Sequence, residues 1–380
     1  MEGGDRQGFN MIPLFKVHMS ETIPEKVSKI LMSGYIGQGQ VVDDFEKVLK
    51  SHFGHDWLVT TNAATNAEHL ALHMLKKPTK VMEMNHTGDG AVAHSWNGIK
   101  DGEEVLCTPL TCTATNWPVL ANNLNIKWVD VDPKTLNMDL DDLARKITKN
   151  TKIIYLVHWG GYPIDLDRVK EIQDKTRQMF GFRPMVIEDC AHGIGSEWRK
   201  KPLGNHGNIC TFSLQAIKHI TSIDGGILTL PNQDLYNRAK LLRWYGIDRE
   251  TNKKDFRCES DVAEWGFKFH MNDVNACVGI ENFKHLDDLV GKHINNAEYY
   301  NKELNNVDGV TLTQQDMKHR KSSYWIYSML VDKKQEFMDK MKECGIMVSQ
   351  VHERNDIHTC VSDYKAHLPK LVAPTDPKSL

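Results

Sequence analysis

The sequence is short of several things, and each shortage removes a class of protein. Its longest apolar runs, such as KIIYLVHW at residues 152–159, are strand-sized and cannot cross a bilayer. The N-terminus, MEGGDRQGFN, has no apolar signal core, so no export signal is visible and the protein is expected to be cytoplasmic. Charge of one sign is not in excess: 47 Lys and Arg face 50 Asp and Glu, a net charge of -3 with His neutral. Nucleic acid is therefore not an expected partner, and neither is a membrane. The eight cysteines, at 107, 112, 190, 210, 258, 277, 344 and 360, include no CxxC pair. Several sit inside apolar segments, which suits small core residues in a reducing compartment and argues against a disulfide framework or a metal site. There is no internal repeat and no low-complexity tract. What remains is 40% apolar and 26% charged over 380 residues, the composition of a packed soluble core. The length suits two domains, or one large domain with an appendage.

Strand-like and helix-like segments alternate from about residue 55 to residue 245. WLVTT precedes the helical run TNAEHLALHML, EEVLCTP precedes TATNWPVLANN, and IKWVDVD precedes LDDLARKI. KIIYLVHW precedes LDRVKEIQDKTRQMF, and MVIED, ICTFSL and GGILTL follow. Short apolar strands separated by helical patterns predict an α/β fold with a mostly parallel sheet flanked by helices. Ligands of such sheets sit beyond the carboxyl ends of the strands, which directs attention to the residues just after each one. Residues 76–100 break the rhythm and read as an inserted segment. Past residue 248 the pattern changes to a long helical run from Met271, a strand YWIYSMLVD, a helix, and the strand-like IMVSQVH. The expected division is a large domain over 1–248 and a smaller C-terminal α/β domain over 249–380.

Three stretches carry chemistry. SLQAIKHITSIDGG (Ser213 to Gly226) surrounds Lys218 with small and apolar side chains. Most lysines are solvated, but a desolvated one has a lowered pKa and attacks carbonyls. IEDCAHGIGS (Ile187 to Ser196) sets Glu188 and Asp189 at a strand end, with His192 three residues on. Strand-end acids often only cap the next turn; they also stand at the ligand-bearing edge. TTNAATNAEHLAL (Thr60 to Leu72) joins a strand to a helix through small residues, exposing amide groups that suit a phosphate. Helix caps elsewhere look alike. An anion cradle, an acid at a strand end and a lysine 29 positions after it together match the needs of pyridoxal 5'-phosphate (PLP). In that reading the lysine bonds the cofactor as an aldimine and the acid keeps the pyridine nitrogen protonated, making the ring an electron sink.

These stretches, with SGYIGQGQVVDDFE, VDVDPKTLNMDLDDL, GNICTFSLQAIKHITSIDGGIL, LLRWYGIDR and GFKFHMNDVNACVGIENF, resemble the sugar-nucleotide aminotransferase family (DegT/DnrJ/StrS). The likeness runs from IPLFKV near residue 12 to VSQVHERND near residue 355, and the chain resembles the perosamine-type synthases within the family. It implies a fold type I aminotransferase. It also implies Lys218 as the aldimine lysine, Asp189 on the ring nitrogen, His192 near the ring hydroxyl, and Ala64, Thr65 and Ser213 around the phosphate. It implies a homodimer with shared active sites, the partner chain contributing from GFKFHMND. Where relatives often carry asparagine for the phosphate, this chain has Lys268; where an aromatic ring often stacks on the cofactor, it has Cys112. Trp117 and Trp159 are the other candidates for stacking, with core packing an equal alternative. Ala63-Ala64 replaces the common Ser-Gly or Asn-Gly. The chain ends soon after VHERND, where relatives commonly continue into a further helix, so the small domain is expected to be pared down or truncated.

The resemblance implies amino transfer from glutamate to a keto-sugar nucleotide, a 4-keto-6-deoxy sugar by analogy with perosamine synthases, for deoxyamino-sugar and polysaccharide biosynthesis. The cofactor would cycle between PLP and pyridoxamine 5'-phosphate. Trp159, His352, Arg354 and Asn355 are the candidate substrate contacts, with a solvated charged loop the alternative for HERND. Two rivals share the scaffold. Pyridoxamine-dependent sugar dehydratases typically lose the aldimine lysine, which this chain keeps. Non-catalytic relatives sense the cofactor or a sugar nucleotide, but no DNA-binding appendage is evident here.

Overall fold

The computed structural model describes residues 11–84, 91–250 and 261–371. Its centre is a seven-stranded sheet. In chain order the strands are β1 (Leu58–Thr61), β2 (Glu104–Cys107), β3 (Asn125–Trp128), β4 (Thr151–Val157), β5 (Met185–Asp189), β6 (Ile209–Ser213) and β7 (Gly226–Thr229). Across the sheet they run β1, β7, β6, β5, β4, β2, β3, and only β7 is antiparallel to its neighbours. The strands from β4 to β7 are buried almost throughout, because helices cover both faces and leave no side for a polar stripe. Two apolar clusters result, one on each side of the sheet.

The flanking helices follow local chemistry. Leu166–Phe180 starts where Asp165 accepts a hydrogen bond from Arg168 N and ends at Gly181, whose φ of 77° allows the left-handed stop. Its buried stripe, Leu166, Val169, Ile172, Gln173 and Thr176, has the helical period and faces the sheet. Within the expected inserted segment, Thr79–Met84 pairs antiparallel with Ala91–Trp96. Helix Asp273–Phe283 lies beyond the expected boundary at 248 and packs against helix Gln40–Phe53. Asp273 Oδ1 accepts from Gly39 N at 2.7 Å and Val42 N at 3.1 Å, capping helix Gln40–Phe53 from across the chain.

The C-terminal part is α/β in outline, with helices Leu286–Leu304 and Lys334–Glu343 around the strand pair Val310–Leu312 and Met329–Val331. Two expected strands are corrected here. YWIYSMLVD is extended in the sheet only from Met329, because its first half turns toward the cleft. Among the described residues IMVSQVH makes a single bridge, Ile346 to Ile12. The long helical run breaks after Phe283 into two helices.

Candidate active site

The carboxyl ends of β1, β4, β5 and β6 converge on one cleft. At the end of β1 the chain turns into helix Ala64–Met74, capped by Ala63, which offers no side-chain oxygen. The first intrahelical bond is Ala67 N to Ala63 O, so the amides of Ala64, Thr65 and Asn66 precede any helical acceptor. These N–H groups and the helix dipole form a site for an anion. Gly226, at the start of β7, presses against this turn: a Cβ there would lie 2.5 Å from Ala63 O and 2.6 Å from Ala64 N. The cradle is thus set by a contact only glycine allows. Ser213, buried at the end of β6, is paired with Gly226 across the sheet and completes this corner.

The paired acids of β5 point to opposite faces, as alternation along a strand requires. Asp189 faces the cleft side: Oδ2 accepts from Thr115 Oγ1 at 2.6 Å and Oδ1 from Ala191 N at 2.8 Å. The two bonds hold the carboxylate in one orientation. Glu188 faces away and accepts from His158 Nε2 at 2.7 Å and Asn208 Nδ2 at 2.7 Å. Burial pushes Glu188 up, but the bonds to His158 and Asn208 outweigh it and hold the carboxyl below its ordinary value. His158, Glu188 and Cys190 stand close enough to share a metal ion, but His158 Nδ1 accepts from Ile164 N, which leaves the ring proton on Nε2 for Glu188. The trio is a closed hydrogen-bonded pair with a buried thiol beside it.

Lys218 follows β6. Burial lowers its pKa to about 8, against the opposing pull of Asp189, Cys112 and Glu68. Its Nζ lies 3.8 Å from the centroid of the Trp325 ring. His192 stacks on the same indole, 4.0 Å away and inclined by 17°. Gly160 N donates to His192 Nδ1, so the Nε2–H is left to face the cleft. Burial, then repulsion from Lys218, His352 and His219, holds His192 well below its ordinary pKa, and the ring is neutral.

The remaining expected residues divide. Trp159 is buried, with its indole N–H toward Ser328 Oγ and its ring edge-on to His192 and His352. His352 lies parallel to His192, 6.4 Å away. Asn355 is buried against the loop after β2, its N donating to Pro109 O and its Nδ2 to Cys112 O, which brings the HERND run to the cleft. Arg354 is held by Asp356 at 2.6 Å. Cys112 caps helix Thr113–Ala121 and interacts electrostatically with Lys218. Trp117 points elsewhere, edge-on to His358. Lys268 is exposed; its carbonyl accepts from Asn62 Nδ2 at 3.3 Å, beside the cradle of its own chain. Arg243 is structural, pairing with Glu46 in the middle of helix Gln40–Phe53 and donating to Thr60 O.

Sequence reasoning missed three residues. Trp325 lies 107 positions from Lys218 and reads as a strand residue. Thr115 sits in an ordinary helical run. Glu68 is buried in helix Ala64–Met74 and faces the Tyr155 phenol. Burial, then the charge of Asp189, raises its pKa well above the ordinary value. A glutamate among the apolar positions of TNAEHLALHML was the available signal.

A lysine of lowered pKa, a strand-end aspartate and a helix-terminal anion cradle at one edge of a mostly parallel sheet define a fold type I aminotransferase. The chain belongs to the DegT/DnrJ/EryC1/StrS aminotransferase family, which matches residues 17–371. Among solved structures it is similar to AtS13 from Actinomadura melliaura, with 45% identity, a TM-score of 0.89, and 98% of this chain and 93% of that one covered. The sugar aminotransferase CalS13 from Micromonospora echinospora is 41% identical, with a TM-score of 0.87 and coverage of 96% and 93%. The GDP-perosamine synthase of Escherichia coli O157:H7 is 28% identical over 84% of this chain and 78% of its own length. Among the described residues no helix is long and apolar enough to cross a membrane.

Proposed function

We propose that this aminotransferase moves an amino group from glutamate to a nucleotide-linked keto-sugar, a 4-keto-6-deoxy sugar by analogy with the perosamine synthase, with PLP cycling through pyridoxamine 5'-phosphate. The observation that carries the reading is the desolvated Lys218 in one cleft with Asp189 and the unpaired amides at Ala64 and Thr65. The residues present fit PLP: a phosphate dianion suits a cradle that a Cβ would fill, and an aldehyde suits a lysine with a pKa of about 8. When bound, the cofactor supplies an electron sink for carbanion charge. Lys218, partly neutral near pH 8, is the nucleophile toward the aldehyde and afterwards the base that takes and returns a proton at Nζ. Asp189, locked by Thr115 and Ala191, holds a proton at the pyridine nitrogen. Neutral His192 offers its Nε2–H to the ring oxygen. Trp159, His352 and Asn355 form the wall against which the sugar would lie, with Arg354 close to its diphosphate.

We further read the protein as a homodimer with shared sites, in which the partner's Lys268 meets the phosphate. Large apolar side chains left exposed, Met32 and Tyr35 at 85% and Trp265 at 66%, support a partner surface. The test is amino transfer from glutamate across a panel of keto-sugar nucleotides, followed by mass spectrometry of the sugar. Formation of 2-oxoglutarate with an aminated sugar nucleotide is expected. A panel that yields dehydrated sugar without net amine transfer overturns the reading.

A further inference from the structure

We propose that Trp325 is a positioning residue for Lys218: its indole face holds the amine while the lysine carries a proton and is not covalently bound. The proposal rests on Lys218 being the cofactor lysine. A lysine that takes up a proton and hands it on within one turnover passes through an ammonium. A free four-carbon side chain has many rotamers with which to wander from its target. Nothing in the local sequence around residue 218 restrains it.

The structure supplies the restraint from another part of the chain. Nζ sits 3.8 Å from the centroid of the Trp325 ring, within the range at which the face of an indole attracts a cation. The ring itself is clamped on two sides. Its Nε1–H donates to Ile217 O at 3.0 Å, beside the lysine it serves, and His192 stacks on it at 4.0 Å. The backbone that delivers it is fixed as well. Ser323 N donates to Ser196 Oγ at 3.0 Å, Ser323 Oγ donates to His192 O at 3.1 Å, and Ser323 O bonds His219 Nε2 at 3.0 Å. Tyr324, the next residue, has φ of 46°, a left-handed conformation that a bulky side chain adopts only when its surroundings impose it. Gly161 allows this approach: a Cβ there would meet Ser323 Oγ at 2.4 Å. Strain of this kind, held by three polar contacts, marks a segment whose geometry serves the site rather than the sheet.

Burial alone would make Lys218 a good nucleophile and a poor proton carrier, because it penalises the ammonium. An indole face offsets part of that penalty without offering a hydrogen bond that would have to be broken when the proton leaves. The other groups that set the charge at Nζ are Asp189, Glu68 and Cys112, which favour the ammonium, and His192, His219 and His352, which are neutral or repel it.

The test uses Trp325→Phe, which keeps a ring face, and Trp325→Leu, which keeps apolar bulk without one. In cofactor-free protein, the pH–rate profile of Lys218 acylation by acetic anhydride, read by peptide mass spectrometry, reports the proton affinity of the amine without requiring turnover. Loss of the ring is expected to move the Leu profile to lower pH by about one unit, so that labelling below pH 7 rises about tenfold. The Phe profile should stay within about threefold of wild type. With PLP restored, the half-reaction with glutamate should slow about tenfold in the Leu variant and recover in the Phe variant, while cofactor affinity is unchanged in both. Matching profiles for Leu and Phe mean that only volume matters and overturn the proposal, as does a Leu profile shifted upward by entering water. Because the labelling needs no sugar, an error in the substrate reading leaves this result intact.

Discussion

Gly226→Ala is the sharpest probe of the anion cradle. Gly226 needs no left-handed backbone, so alanine adds one methyl group and no torsional strain. That methyl would stand 2.5 Å from Ala63 O and 2.6 Å from both Ala63 C and Ala64 N, where ordinary contacts begin near 3.4 Å. The obstacle is backbone on both sides and cannot swing aside like a long side chain. The turn Ala63–Ala64 must retreat by at least about half an ångström, and overpacking of this kind costs about 1–3 kcal/mol of stability. The same retreat carries the amides of Ala64 and Thr65 away from the phosphate. Sites of this sort tolerate about 0.5 Å, and a 1 Å misplacement can cost about a hundredfold. We therefore expect the PLP dissociation constant of the cofactor-free variant, read from the quench of protein fluorescence, to rise between about tenfold and a hundredfold. The melting temperature without cofactor should fall by a few degrees, about 1–2 °C per kcal/mol for a chain of this size. Inorganic phosphate should protect the wild type more than the variant. A lowered melting temperature with an unchanged dissociation constant would refute the reasoning, since the crowding would then have been absorbed away from the phosphate.

Other outcomes follow from the same geometry. Asp189→Asn keeps the bond from Thr115 but removes the charge, so the glutamate half-reaction in stopped flow should slow by orders of magnitude with the fold intact; near-normal rates would make Asp189 a strand cap. Lys218→Ala and Lys268→Ala, each nearly inactive alone, should recover about a quarter of wild-type activity when unfolded together and refolded, because half the dimers then hold one intact site. No recovery would assign both lysines to the same chain's site. Glu281 accepts from Thr22 at 2.7 Å, Lys26 at 2.6 Å and Lys284 at 2.8 Å; burial pushes it up, but these bonds win and hold it at about 2. Its folded pKa is depressed, so its contribution is complete above about pH 4.5 and is lost as pH falls toward 2. Glu281→Gln should unfold more easily than wild type at pH 6 and lose that difference near pH 2, by urea titration.

The parts of this protein legible from the sequence are those that depend on near neighbours in the chain. Each strand of the central sheet is a short apolar run between turn signals, and each of the seven stands in the run expected for it, although the strand expected over IKWVDVD stops at Trp128. The same holds for helices whose caps lie beside them, such as Leu166–Phe180 between Asp165 and Gly181. The aminotransferase scaffold was legible for a related reason: its strand-end acid, its anion turn and its lysine each sit in a compact local motif, and only their convergence needed the parallel sheet.

Other features were settled only by packing. Glu188 and Asp189 are adjacent and chemically alike, yet the strand sends one to His158 and the other to Thr115, and the sequence has no mark of which is which. YWIYSMLVD has the composition of a strand, but Ser196, His192 and Gly161 hold Ser323 so that Trp325 turns into the cleft instead. HERND reads equally as a solvated loop; bonds from Asn355 to Pro109 and Cys112, over 240 residues away, bring it to the site. Glycines 161 and 226 look like turn punctuation and serve as clearances for backbone from distant segments. Sequence alone thus determined the elements and the chemical inventory, since propensity, period and motif act over a few residues. The tertiary structure decided which face, which partner and which clearance, because those depend on atoms brought within 3 Å by parts of the chain that share no local signal.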